Sequence, residues 1–204
     1  MTENEPFFER IFGEDWATMP TVFHAHYANR TRKDDVVRVT GPMDIRRSWL
    51  MRLAAPLFRM TKTLVPVDRK GVDTEVIFRT HADSDGFWYH RHFRLGAGDT
   101  YEFVSRLEHM GGNQVTEWTG AGVGWHSTFA FDGGRVRLDH IGYRLKLGRL
   151  TMRLPVTWLF GVPSAWEEAI DDTHFRMEMT IQHWLFGFLY SYSGAFKISE
   201  VTLD

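Results

Sequence analysis

The sequence predicts a mainly β domain of the α+β class, built as one curved antiparallel sheet or partial barrel with amphipathic helices at its N-terminus. Apolar residues recur at helical spacing in the N-terminal part and alternate in short runs from residue 72 onward. Strands and helices do not alternate along the chain, as a parallel sheet requires. The length of 204 residues fits a single domain over residues 1–204.

The N-terminal helices are predicted from an apolar stripe that starts at Phe7 and continues to Phe23. Gly13 and Pro20 interrupt this stripe. A proline is tolerated in the first turn of a helix, because the amide hydrogen that it lacks has no helical partner there. We therefore expect two short helices, the second beginning near Pro20.

The next two elements are a strand and a capped helix. The β-branched run over residues 36–40 predicts the first strand, and Gly41-Pro42 is expected to end it. Ser48 precedes a second stretch at helical spacing and is suited to cap it. Pro56 lies near the middle of that stretch and predicts a kink or a helix boundary.

Alternating runs separated by turns predict an antiparallel meander in the rest of the chain. The turns Gly111-Gly112-Asn113 and Asp132-Gly133-Gly134 supply the positive φ angles that tight hairpins need. The pattern predicts about eight strands with short turns. The expected ranges from residue 72 onward are 74–80, 87–95, 100–108, 114–120, 124–131, 135–147, 173–183 and 188–198.

A short helix is expected before the last two strands, over residues 164–169. Ser164 and Glu167 have the spacing of a capping box, in which each side chain bonds to the other residue's backbone. The acidic residues around this helix, Glu167, Glu168, Asp171 and Asp172, have two interpretations. They are paired carboxylates for acid–base chemistry or a solvated surface with capping duties.

Composition argues against several classes of protein. The chain has 24 Lys+Arg against 26 Asp+Glu, so it lacks the excess of positive charge that is typical of a nucleic-acid binder or of an overall basic membrane-surface protein. The absence of cysteine excludes disulfides, thiolate metal sites and a cysteine nucleophile. The acidic N-terminus has no secretory pattern, and the apolar stretch 184–190 is far shorter than the ~20 residues of a spanning helix. We expect a cytoplasmic protein without a membrane span.

Cofactor and metal motifs are also missing from the sequence. The glycines form no dinucleotide or phosphate loop, so we expect no cofactor. Two histidine pairs are candidates for metal binding. His24 and His26 lie on different faces of a helix. His90 and His92 share one face of a strand, but such pairs occur more often on exposed strands than in metal sites, so we expect no metal.

The aromatic segment over residues 87–95 is the most informative one. One face of a strand here carries Phe87, Tyr89, Arg91, Phe93 and Leu95. An arginine among buried aromatics must be paired, because an isolated buried charge is very costly. Glu117 is the expected partner, with Glu102 and Glu108 as alternatives. The pair is either a structural ion pair or a clamp for an anion or carbonyl group at the floor of a ligand pocket.

Several short segments together resemble a known family. They are Met19-Pro20 followed by His24 or His26, Tyr89 to Phe93, Phe103-Val-Ser105, Glu117-Trp-Thr-Gly120, Leu154-Pro155, Phe175-Arg-Met and Phe186 to Gly194. Their order resembles the bacterial domain of unknown function 4166, which occurs alone or attached to saccharopine-dehydrogenase-like oxidoreductase domains. The resemblance implies a self-contained domain without an established activity, with recurring polar positions at His26, Arg91, Ser105 and Glu117.

The leading functional hypothesis is a module that binds a small hydrophobic metabolite or acyl group. An aromatic content of 15%, including 8 Trp, indicates residues that are buried, line a pocket or form an interface. Together with the meander, it predicts an aromatic-lined pocket in the curved sheet. The expected binding residues are Tyr89, Arg91, Phe93, Ser105 and Glu117.

Two alternatives stay open beside this hypothesis. An isomerase or cyclase without a cofactor would use His26 or His24 as base or acid, and Arg91 to stabilise developing negative charge. An accessory domain of an oxidoreductase would instead present exposed aromatics around Trp49, Phe58 or Trp158. A homodimer is the other protein assembly that we consider.

Overall fold

The computed structural model describes residues 5–96, 98–148 and 150–204. This part of the chain contains eleven strands in one antiparallel sheet, with short helices before and between them. The strands are β1 Val36–Arg47, β2 Arg69–Arg79, β3 Phe87–Gly96, β4 Asp99–Gly111, β5 Gln114–Thr119, β6 Val123–Asp132, β7 Arg135–Leu147, β8 Leu150–Leu154, β9 Val162–Ala169, β10 His174–His183 and β11 Gly187–Thr202. The helices are α1 Glu9–Phe12, a 3₁₀ helix over Gly13–Thr18, α2 Thr21–His26, α3 Trp49–Leu53, α4 Ala55–Thr61 and α5 Thr157–Phe160.

Ten of the described strands close into a barrel. Each strand from β1 to β7 pairs with the next, β7 then pairs with β9, and β11 returns to β1. β8 is the extra strand and, among the described residues, pairs only with the second half of β7. The prediction of a mainly β, antiparallel fold is confirmed, but the prediction of about eight strands in a partial barrel is wrong.

The predicted helix at residues 164–169 is also wrong. These residues belong to β9, which pairs with β10 on one side and with β7 on the other. The short helix, α5, lies before β9, so three strands follow it rather than two. Pairing along both edges of β9 outweighs the local helix signal of Ser164 and Glu167, as tertiary context commonly does.

The first strand does not end at Gly41-Pro42 as expected, because β1 continues to Arg47. A side chain at Gly41 would place its Cβ 2.1 Å from the carbonyl oxygen of Ala195 in β11. The glycine therefore allows a close approach of two paired strands instead of breaking one of them.

The two ends of the barrel carry different chain segments. The N-terminal end, where β1 begins, holds residues 5–35. Helix α1 and the residues before it place the Phe8 ring 5.2 Å from Phe87 and 5.3 Å from Phe129, while Phe23 of α2 lies 6.4 Å from Phe175. The two predicted N-terminal helices are confirmed, with a 3₁₀ turn between them, and their aromatics fill this end of the barrel.

The cap end, where β1 ends and β2 begins, carries residues 48–68. Ser48 caps α3 and accepts a hydrogen bond from the Met51 amide at 3.4 Å, as predicted. A boundary lies beside Pro56, where α3 gives way to α4. The described part of the chain contains no helix with both the length and the apolar character to cross a bilayer.

Candidate functional site

A cavity of about 80 Å³ lies inside the barrel. Side chains from α2 and from most barrel strands line it, because alternate residues of each strand point inward. The apolar and aromatic part of the wall includes Val39, Met43, Val76, Phe78, Trp125, Phe129, Leu138, Ala165, Phe175, Met177 and Phe196. The polar part consists of His26, Tyr89, Arg91, Glu117, Glu167 and Tyr192.

The Arg91 cluster, formed by Arg91, Ser105 and Glu117, connects three neighbouring strands, β3, β4 and β5. Arg91 donates from Nη1 to Ser105 Oγ at 2.7 Å and from Nη2 to Glu117 Oε1 at 2.9 Å. Ser105 Oγ donates to the same carboxylate oxygen at 2.5 Å. The guanidinium carbon also lies 4.6 Å from the ring centroids of both Tyr89 and Phe103. This charge is thus held by hydrogen bonds and by two aromatic faces.

The electrostatic surroundings keep Arg91 charged. Burial alone would lower the pKa of its guanidinium, but the negative charge of Glu117 and the nearby tyrosines outweigh burial and raise that pKa. The side chains retain 12% exposure at Arg91 and 17% at Glu117. The ion pair is therefore largely, but not completely, removed from water.

The Glu167 cluster, formed by His26, Tyr27 and Glu167, joins α2 to β9. The Tyr27 hydroxyl, one residue past the helix, donates to Glu167 Oε2. His26 Nε2 lies 3.5 Å from the same oxygen. Burial, and then the charge of Glu167, raise the pKa of Tyr27 well above its ordinary value, so this phenol remains a donor.

His26 keeps an unused hydrogen-bonding atom. Its ring packs 4.7 Å from Phe78 and 4.4 Å from Phe175, and the residue is only 2% exposed. Within the described residues, its Nδ1 is buried and has no hydrogen-bond partner. The same holds for Nε1 of Trp125, another residue of the cavity wall. Buried polar atoms normally find partners, so both atoms are available to a molecule or water that enters the cavity.

Tyr192 shows that the two clusters face one cavity. Burial raises the pKa of its phenol to about 12; Arg91 acts to lower it, and Glu117 and Glu167 both act to raise it. Burial and then the same two carboxylates raise the pKa of Tyr89 well above its ordinary value. Neither tyrosine hydroxyl has a hydrogen-bond partner among the described residues. Both hydroxyls can therefore form a hydrogen bond to a molecule in the cavity, close to the two carboxylates.

The structure brings together several of the residues singled out from the sequence. Tyr89, Arg91 and Glu117 line the cavity, and Ser105 is buried and bonds to two of them. His26 faces the same cavity from α2. The two alternative partners of Arg91 are excluded by their surroundings. They are Glu102, which lies 3.8 Å from His92, and Glu108, which bonds to Trp118 and Lys146.

Two predicted residues lie elsewhere. His24 is absent from the cavity wall, and its ring packs 4.7 Å from Trp16. Phe93 is buried 6.4 Å from Tyr101, beyond the lining residues. Alternation alone put Phe93 on the inward face but carried no information on how far along the barrel the cavity extends.

Two polar residues of the site, Tyr27 and Tyr192, were missed from the sequence, and a third, Glu167, was considered but placed on the wrong element. Glu167 was assigned to a helix, where an acidic run is typical of a solvated surface, yet β9 turns it inward. Its neighbour Glu168 does lie outside, paired with Arg135. Tyr27 and Tyr192 carried usable signals, because one directly follows His26 and the other alternates with the buried Tyr190.

Metal ligands do not converge in the part of the chain that the structure describes, since no group of three or more His, Asp or Glu is placed to hold an ion. The site does offer several hydrogen-bonding and titratable groups. These are a paired guanidinium, two carboxylates, a histidine and three tyrosines.

Comparison with known proteins identifies a family. The family model described as Domain of unknown function (DUF4166) matches residues 19–196, which is nearly the whole chain. The match includes α2, nine of the ten barrel strands in full, β11 as far as residue 196, and all residues of both polar clusters. No curated protein and no solved structure matches the chain significantly.

Proposed function

The chain belongs to the DUF4166 family, and we propose that its barrel binds a small, uncharged and mostly apolar molecule that carries one hydroxyl or carbonyl group. The observation that carries the proposal is the convergence of two polar clusters on one aromatic-lined cavity. Ligand sites commonly combine an apolar wall with a few polar groups that fix orientation.

The size of the cavity limits the occupant. Its volume of about 80 Å³ compares with ~150 Å³ for an engineered apolar cavity that admits benzene. A larger molecule needs the wall to move. Met43 and Met177 are suited to this, because a methionine side chain changes rotamer at little cost.

The charges of the wall favour a neutral ligand. Glu117 and Glu167 face the cavity together with one guanidinium, and that guanidinium is already paired with Glu117. An anionic ligand would meet excess negative charge where water is largely excluded, and charges interact more strongly there than in solvent. We therefore expect an alcohol, ketone or ester to bind more tightly than a carboxylate of the same carbon skeleton.

The free hydrogen-bonding atoms support a hydroxyl or carbonyl group. Tyr89 and Tyr192 offer hydroxyls, and Trp125 offers an indole N–H, none of which has a partner among the described residues. A buried donor without a partner costs roughly 1–3 kcal/mol, so a ligand oxygen that reaches one of them recovers that cost.

Ligand binding is tested with matched short-chain alcohols, ketones, carboxylates and amines, by native mass spectrometry and by the thermal stabilisation that a ligand confers. Ala165→Leu fills the cavity from β9 and should abolish binding. Ala195→Leu, at an exposed position of β11, is the matched control and should bind normally. Binding that survives Ala165→Leu, or that prefers the carboxylate, would contradict the proposal.

A second candidate is an isomerase or cyclase without a cofactor. It is favoured by the position of His26 and Arg91 on the wall of one cavity. Glu167, beside His26, would take a proton from the carbon next to a ligand carbonyl, while Arg91 or Tyr192 would hydrogen-bond to the oxygen that gains negative charge. In a β,γ-unsaturated ketone, return of that proton to the γ carbon moves the double bond into conjugation and completes the isomerisation without an oxidant or reductant.

This second candidate is tested by proton exchange. A ketone that binds should exchange its α-hydrogens for deuterium in D₂O, followed by nuclear magnetic resonance. Glu167→Gln should abolish the exchange while binding persists, and Ala195→Leu should change neither. Binding without exchange in the unmodified protein would leave the barrel as a binding module only. A cytoplasmic location, an oxidoreductase partner and a homodimer stay predictions from the sequence.

A further inference from the structure

The cap end of the barrel exposes large apolar side chains. We define the cap surface as Trp49, Leu53, Met60, Trp158, Trp184 and Leu185. Each of these side chains is at least 60% exposed, and Met60 and Trp184 reach 77% and 76%. The three tryptophans alone expose on the order of 400 Å². The exposed tryptophan area is therefore comparable with the largest apolar patch of a typical monomer, which is roughly 300–600 Å².

These side chains come from separate segments that meet at one end of the barrel. The Trp184 indole donates to the Trp158 carbonyl at 3.2 Å, which joins the β10–β11 turn to α5. The Ser48 amide donates to the Leu189 carbonyl at 2.8 Å and ties the start of α3 to the same turn region. Phe58 accepts a hydrogen bond from the Tyr101 hydroxyl at 3.0 Å, so α4 reaches across to β4.

Positive charge accompanies the cap surface. Residues 46–70 contain seven basic side chains and one acidic side chain. Asp68, the acidic one, pairs with Arg52. Arg59, Lys62 and Lys70 have no ion pair within the described residues. This end of the barrel is therefore strongly basic, although the whole chain has a net charge of −2.

The opposite end has the opposite character. Its turns carry several aspartates, at the β2–β3, β6–β7 and β9–β10 connections. They are Asp83, Asp85, Asp132, Asp171 and Asp172. Such a separation of charge orients a protein in an electric field, with its basic end toward a negative surface.

We propose that the cap surface docks on the surface of an anionic lipid bilayer. Tryptophan favours the boundary between headgroups and acyl chains, where its ring is half apolar and its N–H stays wet. Basic side chains beside such residues bind anionic headgroups. Unpaired basic side chains around exposed tryptophan and leucine match an anionic bilayer in both charge and polarity, and this match favours a bilayer over a protein partner.

Docking is tested by co-flotation of the full chain with vesicles of phosphatidylcholine alone or mixed with phosphatidylserine. We expect binding to the mixed vesicles and a loss of about tenfold or more at high salt. Trp49→Ser/Trp184→Ser and Arg59→Glu/Lys62→Glu should each weaken binding about tenfold. The apolar control is Ile170→Ser/Val201→Ser, and the charge control is Arg79→Glu/Lys197→Glu. Both controls alter exposed positions away from the cap surface and should bind normally.

Circular dichroism establishes that each variant is folded before flotation. Absence of binding by the folded, unmodified protein would overturn the proposal, as would equal losses in the control variants. If the unmodified protein is a dimer and Trp49→Ser/Trp184→Ser makes it dissociate, the cap surface binds a second copy of the chain. If the unmodified protein binds an oxidoreductase saturably and the same variant does not, the cap surface binds a protein partner. Either result would also overturn membrane docking. The ligand test with Ala165→Leu is independent of all these outcomes.

Discussion

The two polar clusters on the cavity wall are held in different ways. In the Arg91 cluster every bond is short, and the guanidinium is also enclosed by two aromatic rings. In the Glu167 cluster the Tyr27 hydroxyl bonds firmly, but His26 lies 3.5 Å from the carboxylate and keeps a buried nitrogen without a partner. A satisfied network braces a fold, whereas a partly satisfied one retains capacity for a ligand.

The clusters also differ in what they connect. The Arg91 cluster spans three consecutive strands, in which β4 pairs with both β3 and β5. Its two charged residues, Arg91 and Glu117, are only 26 positions apart in the sequence. The Glu167 cluster links residues 140 positions apart, from an N-terminal helix to a strand near the far end of the chain. We infer that the first cluster is mainly structural and that the second is the more adaptable part of the site.

The largest effect is expected from Arg91→Leu, which removes one partner of the buried pair. Glu117 would lose its counterion in a mostly dry site and keep only Ser105 as a donor. Breaking a buried pair in this way costs roughly 3–5 kcal/mol, and the partial exposure of both side chains places the expected loss near the lower value. Urea unfolding monitored by tryptophan fluorescence measures it.

The double variant Arg91→Leu/Glu117→Leu is the control for this prediction. Removal of both charges leaves no unpaired ion, so it should recover most of the stability lost in the single variant. If the single variant loses less than ~1 kcal/mol, the pair behaves like a surface salt bridge, and the contrast between the two clusters breaks down.

A smaller effect is expected when each carboxylate becomes an amide. Glu167→Gln should cost about 1 kcal/mol, because Tyr27 can still donate to the amide oxygen. Glu117→Gln should cost roughly 2–3 kcal/mol, because it leaves the Arg91 charge without its counterion. The same urea series compares the two variants.

The ligand affinities of these two variants sharpen the comparison. We expect Glu167→Gln to change ligand affinity or proton exchange more than it changes stability, and Glu117→Gln to do the reverse. The opposite order in both measurements would assign the structural role to the Glu167 cluster.

The same contrast explains how much the sequence could predict. The pairing of Arg91 with Glu117 could be predicted from the sequence alone. The alternation of a strand placed the arginine on an apolar face, where a buried guanidinium needs a counterion. The inward position of Glu167 was not accessible, since its segment resembles a capped helix and only pairing with β7 and β10 makes it a strand. Closure of the barrel likewise depends on contacts between distant strands.

The smallest expected effect concerns the phenol of Tyr192, whose pKa both clusters influence. This pKa, about 12 in the folded protein, lies above the ordinary value of ~10. The associated stability is therefore complete below pH ~10 and is lost as the pH rises through about 12. Tyr192→Phe should shift the pH midpoint of alkaline unfolding slightly upward.

Nuclear magnetic resonance of ring-labelled tyrosine follows the Tyr192 phenol directly. Glu117→Gln should lower the pKa of this phenol more than Glu167→Gln does, because Glu117 has the larger influence. Equal shifts would mean that Tyr192 lies electrostatically midway between the clusters.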